Sequence, residues 1–437
     1  MKKIAVIGTG YVGLVSGAGL SDFGNSVVCA DINIDKINQL NNGDIPIYEP
    51  GLKEIVQRNV VSGRLSFSSN INKSIDDSDV IFIAVGTPEG ENGSSNLDSI
   101  YNVARAIGQN LNEYKVICTK STVPIGTGQI IMAEIEKYSK SKIDFDYISN
   151  PEFLREGSAV KDFLWPDRVI IGASNQKAIK IMKEVYRPLY INETPIIETT
   201  IQTAELIKYA SNAFLAVKIS YINEIANICD EIGADVHVVS KAMGIDGRIS
   251  PKFFHPGPGY GGSCFPKDTK ALRSTAEELG VPLKVVNGAI EANQTQKNRM
   301  VKKLMDLMDK NIAGKKITLL GLAFKAQTDD IRESPSIEMI EALLKNGAIV
   351  NAYDPESNEN MKKRFSNLNT FDSWEDAVKD ADCVAIMTEW NEFRGLDLER
   401  LSTLVKSPVI LDCRNILSVK DLKFHGFKYD NVGRKVK

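Results

Sequence analysis

Cys264 is the residue whose setting in the sequence most favours covalent chemistry. It follows Gly257-Pro258-Gly259-Tyr260-Gly261-Gly262-Ser263, where four glycines let the backbone pass close to a ligand. Phe265-Pro266-Lys267-Asp268 comes next and leads into a helical pattern over residues 268–279, with Ser263 placed to cap it and Pro266 tolerated in a first turn. The positive end of that helix and the Lys267 ammonium would both favour a thiolate. Asp268 lies four residues on, hence on the same helical face, where it could hold a water or a lysine. The loop alone leaves two readings level: a nucleophile, or a small apolar residue packed beneath glycines. Cys29, Cys118, Cys383 and Cys413 fall in strand-like runs and Cys229 on a helical one, so these five read as packing residues. No Cys-x-x-Cys pair occurs and His237, His255 and His425 are dispersed, so neither a metal site nor a disulfide framework is expected.

Two further groups could do chemistry. Lys208 and Asn212 share one face of a helical run and interrupt apolar neighbours, Tyr209, Ala210, Phe214 and Leu215, that read as buried. A buried ammonium needs a partner and could steady a developing alkoxide, but the helix alone favours a solvated polar face. Near the start, Gly8-Thr9-Gly10-Tyr11-Val12-Gly13 follows a strand and opens a helix. Gly8 suits the tight turn, Gly10 the approach of a pyrophosphate, and Gly13 close helix–strand packing. Asp31 ends the second strand, where a carboxylate accepts from a ribose diol and repels a 2′-phosphate, so NAD is expected over NADP. Lys36 is a cation within reach that weakens this preference.

The elements that must position these groups alternate in type. Residues 3–7, 26–30, 80–85 and 115–119 read as strands separated by helices, hence a parallel sheet with crossovers. A second such region begins at Lys315, with strands over 317–321, 349–353, 383–387 and 409–412. Between them, residues 199–233 form one helical pattern with Leu206, Ala210, Phe214, Val217, Tyr221, Ile225 and Ile228 at steps of three or four, suited to bridging two lobes or forming a dimer core. The polar end, residues 430–437, reads as frayed. The chain has 437 residues, 43% of them apolar, which is ample for two or three domains with real cores. Lys and Arg number 53 against 56 Asp and Glu, so there is no basic field for nucleic acid. No run approaches the roughly 18–20 apolar residues of a membrane span. Glycine interrupts the opening Met1-Lys2-Lys3-Ile4-Ala5-Val6-Ile7-Gly8 too early for a signal peptide, so a cytoplasmic location is expected.

These stretches carry a resemblance, together with Lys120-Ser121-Thr122-Val123-Pro124, Asn150-Pro151-Glu152-Phe153-Leu154-Arg155-Glu156-Gly157, residues 204–227, Gly321-Leu322-Ala323-Phe324-Lys325 and Asp329-Asp330-Ile331-Arg332-Glu333-Ser334-Pro335. Over nearly its whole length the chain resembles the UDP-glucose/GDP-mannose dehydrogenase family, and Ser263–Asp268 is similar to its UDP-glucose branch. The resemblance implies an α/β fold of two Rossmann-like domains joined by a long central helix: a NAD-binding domain over 1–198, a helical dimerisation region with the cysteine loop over 199–300, and a UDP-sugar-binding domain over 301–437. It implies a homodimer that oxidises UDP-glucose to UDP-glucuronate with NAD. Cys264 would be the nucleophile, with Lys208, Asn212 and Asp268 around the reacting carbon and Glu152 and Thr122 supporting water and oxyanion. Gly8, Gly10, Tyr11, Val12, Gly13, Asp31, Lys36, Thr87, Thr122, Glu156, Lys267 and Arg332 would contact NAD. Glu152, Phe153, Leu154, Arg155, Lys208, Asn212, Phe253, Phe254, His255, Pro256, Gly257, Gly261, Lys325 and Arg414 would hold the sugar nucleotide, with Arg248 reaching it from the partner subunit.

The chemistry explains the residue types. An alcohol loses one hydride to become an aldehyde, and a thiolate must add to that aldehyde before a second hydride can leave. Oxidation of the thiohemiacetal gives a thioester, which water cleaves to the acid. Two other enzyme readings are a dehydrogenase of another nucleotide sugar (UDP-N-acetylmannosamine or GDP-mannose) and an epimerase, for which Tyr138 and Lys142 have the Tyr-x-x-x-Lys spacing within a polar run. A non-catalytic NAD sensor would have no use for a nucleophile.

Overall fold

The computed structural model describes residues 1–90, 93–140 and 142–434. They form two compact units, Met1–Ser211 with Lys270–Gly280, and Asn212–Thr269 with Val281–Lys437. The first is built on eight strands: β1 Lys3–Ile7, β2 Ser26–Ala30, β3 Leu65–Ser68, β4 Val80–Ile83, β5 Lys115–Thr119, β6 Phe145–Ser149, β7 Val169–Ala173 and β8 Ile196–Thr199. Their order is β3-β2-β1-β4-β5-β6-β7-β8. All neighbours are parallel except β6 and β7. The central strands read as unbroken apolar runs because both faces are covered. Ile4 and Val6 enter one core layer, while Ala5 and Ile7 enter the other. Lys115 is wholly buried at the head of β5, and its ammonium donates to the carbonyls of Asp76 (3.0 Å) and Ser78 (2.8 Å).

The second unit has six parallel strands: β9 Lys316–Leu320, β10 Ile349–Tyr353, β11 Asn369–Thr370, β12 Cys383–Ile386, β13 Val409–Asp412 and β14 Lys428–Asn431. Their order, β11-β10-β9-β12-β13-β14, repeats the 3-2-1-4-5-6 order of a doubly wound nucleotide fold. Each strand expected from sequence is present, within one or two residues at its ends. Most of the strands not expected are short or polar: β3 is Leu-Ser-Phe-Ser, β6 carries Asp146, and β14 is Lys-Tyr-Asp-Asn; β7, Val-Ile-Ile-Gly-Ala, is the exception, a buried apolar run like those expected.

One helix, Ile201–Ile232, runs from the first unit into the second. Its 32 residues span about 48 Å, and Gly233 at φ +74° ends it. Much of the apolar stripe read as suited to bridging two lobes or forming a dimer core faces outward from the protomer: Leu206 is 44% exposed, Phe214 64%, Tyr221 45% and Ile228 53%, while Val217 and Ile225 are half-buried. Ala210 is exposed too, and Leu215 is half-buried. The inward face is mostly small and polar, with Ala204, Glu205, Lys208, Asn212, Ala213, Ala216, Ser220, Asn223 and Ala226. Small residues let the helix approach its neighbours closely there, and the large apolar residues Ile201, Tyr209 and Ile222 are buried on the same side.

The chain's end also departs from expectation. Residues 430–434 are held: Gly433 N–H donates to Asp230 (3.0 Å), Val236 N–H to Gly433 C=O (2.9 Å), and Lys303 pairs with both Asp230 and Asp430. Residues 435–437 lie outside the described part. No helix among the described residues is long and apolar enough to cross a membrane.

Candidate active site

In the first unit, candidate residues follow the C-terminal ends of β1, β2, β4, β5 and β6, the edge where an open α/β sheet takes its ligand. Gly8 adopts φ +102°, and a Cβ there would stand 2.7 Å from Ala84 O. A Cβ on Gly13 would lie 1.9 Å from Gly8 O, so helix and turn touch directly. A Cβ on Gly10 would meet nothing within 4 Å, and Gly10 caps helix Tyr11–Asp22. That open space at a helix N-terminus fits a pyrophosphate. Asp31 accepts from Thr9 N–H and Thr9 Oγ1, both at 2.8 Å, and from Asn33 N–H at 3.0 Å. Burial would raise its pKa, but these donors and Lys36 outweigh burial and hold it below the usual carboxylate range. Lys36 Nζ stands 4.0 Å from Asp31, so this cation is drawn to the carboxylate. Thr87 Oγ1 donates to Thr122 C=O at 2.9 Å and ties the loops after β4 and β5 together.

After β6 comes the segment 150–157. Glu152 and Lys208 are both buried and meet at 2.8 Å, so the lysine has the partner its burial demands. Glu152 also accepts from Leu154 N–H. The Phe153 ring carries the Arg168 guanidinium at 3.6 Å and the Lys208 ammonium at 5.4 Å. Arg155 is engaged by Asp162 through both carboxylate oxygens, at 2.9 and 2.6 Å. Sequence reasoning singled out neither Lys120 nor Glu49. Lys120 is buried and donates to Asn150 Oδ1 (3.0 Å) and Tyr186 Oη (3.3 Å), and desolvation pushes it down to about 8. Glu49 is buried, accepts from Gly157 N–H (2.6 Å), Ala159 N–H (2.7 Å) and Tyr11 Oη, and is linked in sequence to no recognised motif. Burial and the Glu49 hydrogen bond push the Tyr11 phenol up.

In the second unit, Cys264 immediately precedes helix Phe265–Glu278, which starts three residues earlier than the sequence suggested because Pro266 fits its first turn. Asp268 N–H donates to Cys264 C=O at 2.8 Å, so Cys264 rather than Ser263 stands at the cap; Ser263 Oγ lies 3.6 Å from its sulfur. Cys264 is half-exposed while the other five cysteines are buried. Burial pushes the thiols of Cys29, Cys118 and Cys383 up to about 12 and raises those of Cys229 and Cys413. Asp268 is buried, accepts from Asn212 Nδ2 at 2.6 Å, and has Lys267 Nζ 2.8 Å from its other oxygen, out of line for a hydrogen bond. The expectation of a solvated Lys208–Asn212 face is therefore overturned, since both side chains are buried against carboxylates.

The remaining candidates divide. Arg414 is fixed by Met387 C=O (2.8 Å), Phe324 C=O (2.7 Å) and Glu389 (3.1 Å), and it borders Gly257. Phe253 (φ +62°) stacks near Phe265 at 5.9 Å, Phe254 and Pro256 are buried, and His255 is exposed. Lys325 is half-buried above Phe324, and Arg332 pairs with Asp330 at 2.7 Å. Arg248 projects from the surface, paired to Asp246. Tyr138 ends helix Thr127–Tyr138, so Tyr138 and Lys142 do not share a helical turn; Ser141 between them lies outside the described residues.

Residues 2–190 match the NAD binding domain of the UDP-glucose/GDP-mannose dehydrogenase family, 202–295 its central domain and 318–419 its UDP binding domain. The chain belongs to this family. It is 48% identical over 435 residues to the UDP-glucose 6-dehydrogenase of Rhizobium meliloti (strain 1021), covering 99% of each. It is 46% identical to UDP-glucose 6-dehydrogenase TuaD of Bacillus subtilis (strain 168), covering 99% of this chain and 94% of that one. Among solved structures it resembles a UDP-glucose dehydrogenase from the hyperthermophilic archaeon Pyrobaculum islandicum, with a TM-score of 0.91, 35% identity and 96% of each chain covered. The chain is thus a NAD-dependent dehydrogenase, and the open Gly10 turn and Asp31 lie in its NAD-binding domain.

Proposed function

We propose that this dehydrogenase oxidises UDP-glucose to UDP-glucuronate in two steps, through a thiohemiacetal and then a thioester on Cys264. The observation that carries the reading is the half-exposed thiol at a helix head, unlike five buried cysteines, in a chain whose full-length relatives are named for UDP-glucose. The Gly8–Gly13 turn, Asp31, Thr87 and Thr122 hold NAD, with Tyr11, Val12, Lys36, Glu156, Lys267 and Arg332 as further contacts. Bound there, NAD supplies the two-electron acceptor that the chemistry needs twice. Lys208, kept in place by Glu152, stabilises the alkoxide of the alcohol and the oxyanion of the thiohemiacetal. The Cys264 sulfur bonds to the aldehyde carbon. Asp268, oriented by Asn212, orders the water that cleaves the thioester, which frees the carboxylate and restores the thiol. Phe153, Arg155, the 253–257 loop, Gly261, Lys325 and Arg414 hold the nucleotide sugar, whose diphosphate supplies binding energy that free glucose lacks.

The test is stoichiometry. Two NADH should appear per UDP-glucuronate with no free aldehyde, and free glucose should not turn over. A folded Cys264→Ala variant should lose acid formation by about three orders of magnitude or more while still binding NAD. Near-parent acid formation by that variant would refute the assignment, and preferred turnover of UDP-N-acetylmannosamine or GDP-mannose would move the substrate. We also propose a cytoplasmic homodimer that buries the outward stripe of helix Ile201–Ile232, with Arg248 contributed to the partner's site; sedimentation as a monomer would overturn it. In this reading residues 1–198, 199–300 and 301–437 serve as cofactor, dimerisation and UDP-sugar regions.

A further inference from the structure

The loop that delivers Cys264 is rich in glycine and has few side chains of its own to fix it. Its backbone is gripped by amide side chains from two helices. Asn293, on helix Lys284–Leu307, makes both bonds that a neighbouring strand would make to Tyr260: its Oδ1 accepts from Tyr260 N–H at 2.7 Å and its Nδ2 donates to Tyr260 C=O at 3.1 Å. Three residues on, Gln296 Nε2 donates to Gly257 C=O at 2.8 Å, while Asn223 Oδ1 accepts from Gly257 N–H at 2.8 Å. Asn227 Nδ2 donates to Gln296 Oε1 at 3.0 Å and so fixes which way that amide faces. The other flank of the loop is backbone. Gly262 N–H donates to Arg332 C=O at 2.8 Å, and a Cβ on Gly261 would lie 2.3 Å from Glu333 O. Lys297, one turn on from Asn293 and on the same helical face, donates to that Glu333 carbonyl at 3.1 Å. A Cβ on Gly259 would stand 2.9 Å from Asn293 Oδ1, so the missing side chain is what lets the amide reach the main chain.

Asn223, Asn293 and Gln296 are all buried. Burying three amides is costly unless every bond they make is needed, and apolar residues would pack the same helices without that cost. We infer that Asn293, Gln296 and Asn223 are positioning residues that hold the 257–262 loop in one conformation, so that the Cys264 thiol is presented in a single geometry at the head of its helix. This rests on the reading of Cys264 as nucleophile.

The test uses the full-length chain with Asn293→Ala, Gln296→Leu and Asn293→Asp, the last keeping the acceptor for Tyr260 N–H. In folded Asn293→Ala and Gln296→Leu, kcat should fall by about tenfold or more with KM for NAD within about twofold. Alkylation of Cys264 by iodoacetamide at neutral pH, mapped by peptide mass, should slow by about threefold or more as the helix head frays. Asn293→Asp should recover part of both losses. A folded variant with parent kcat overturns the inference, and so does lost kcat with unchanged alkylation. If Asn293→Ala does not fold, Gln296→Leu carries the same two readouts; failure of both to fold makes the amides structural and also overturns it. Alkylation needs no turnover, so if Cys264→Ala still makes acid the nucleophile reading fails while the grip on the loop is still measured.

Discussion

The two α/β units share a strand order, yet they treat the same landmarks in opposite ways. In the first, Asp31 at the end of β2 is half-buried, and the turn it faces leaves open space beside Gly10. In the second, Asp354 follows β10 at the equivalent place but is 1% exposed. It accepts from Leu322 N–H (2.7 Å), Ala323 N–H (3.1 Å) and Trp390 Nε1 (3.2 Å). The turn itself does not differ: Gly321, the counterpart of Gly8, adopts φ +98° against +102°, and a Cβ on it would stand 2.4 Å from Thr388. Residues 321–334 then intervene before helix Pro335–Lys345, whose Ser334 cap already serves its first turn. Strand order therefore does not make a dinucleotide site. An acid with spare acceptor capacity and an unfilled helix head do, and the second unit has spent both on its own loop.

That contrast can be broken first at Lys208. Lys208→Ala should lower kcat by roughly 10²–10³ and should destabilise the fold by about 3–5 kcal/mol by leaving Glu152 buried and unpaired. Adding Glu152→Gln should restore the unfolding midpoint but not the rate; a double variant with restored rate would remove Lys208 from the chemistry. Next come the two acids. Asp31→Ala should cut kcat/KM for NAD by about tenfold, or about 1.4 kcal/mol, and narrow the preference over NADP, with little change in Tm. Asp354→Ala should do the reverse. It removes the acceptor of four backbone N–H groups (Leu322, Ala323, Glu356 and Ser357) and an indole, so a loss of about 1–3 kcal/mol is expected in denaturant titration with KM for NAD unchanged. Equal effects of the two substitutions on NAD would erase the distinction between the units.

The smallest effect concerns buried lysines. Lys297 and Lys303 in the second unit are paired with carboxylates, whereas Lys120 in the first rests on an amide and a phenol. Desolvation holds Lys120 near 8 in the folded chain, below its value of about 10.4 when unfolded. Between those values the unfolded state carries a proton that the folded state lacks, so this group adds stability as pH rises from 8 toward 10.4. Lys120→Met should flatten that part of the Tm profile and be no less stable at pH 7. A parent-like slope in the variant would assign the dependence to other groups.

Much of the site was legible because its chemistry needs unusual neighbours in sequence. The Gly8–Gly13 spacing, the acid after β2 and the glycine loop before Cys264 each announce a backbone constraint, and all three stand where that constraint requires. The long helix was legible in extent but not in facing. Periodicity locates an apolar stripe without saying whether it meets the protomer's own core, and here the stripe of Leu206, Phe214 and Tyr221 lies outside. The Lys208–Glu152 pair and the Asn212–Asp268 bond join residues 56 apart in sequence, a separation that no local spacing encodes. Asn293, Gln296 and Glu49 were invisible for a related reason: each serves main-chain groups elsewhere in the sequence, and a lone amide or carboxylate carries no signature of that.

The anchoring of residues 430–434 has a consequence for how the protein is made. Gly433 donates to Asp230, a partner 203 positions earlier, and β14 completes the edge of a sheet whose first strand begins at Lys316. On a ribosome, Asp230 and Lys303 can pair with each other early, but Gly433 reaches Asp230, and Asp430 and Asn431 reach Lys303, only much later, and contacts of such separation form slowly. The first unit has almost its whole sheet out of the exit tunnel while the second still awaits its last strand. Nascent chains stalled with residues 428–434 still inside the exit tunnel should therefore carry a protease-resistant first unit and a protease-sensitive second one.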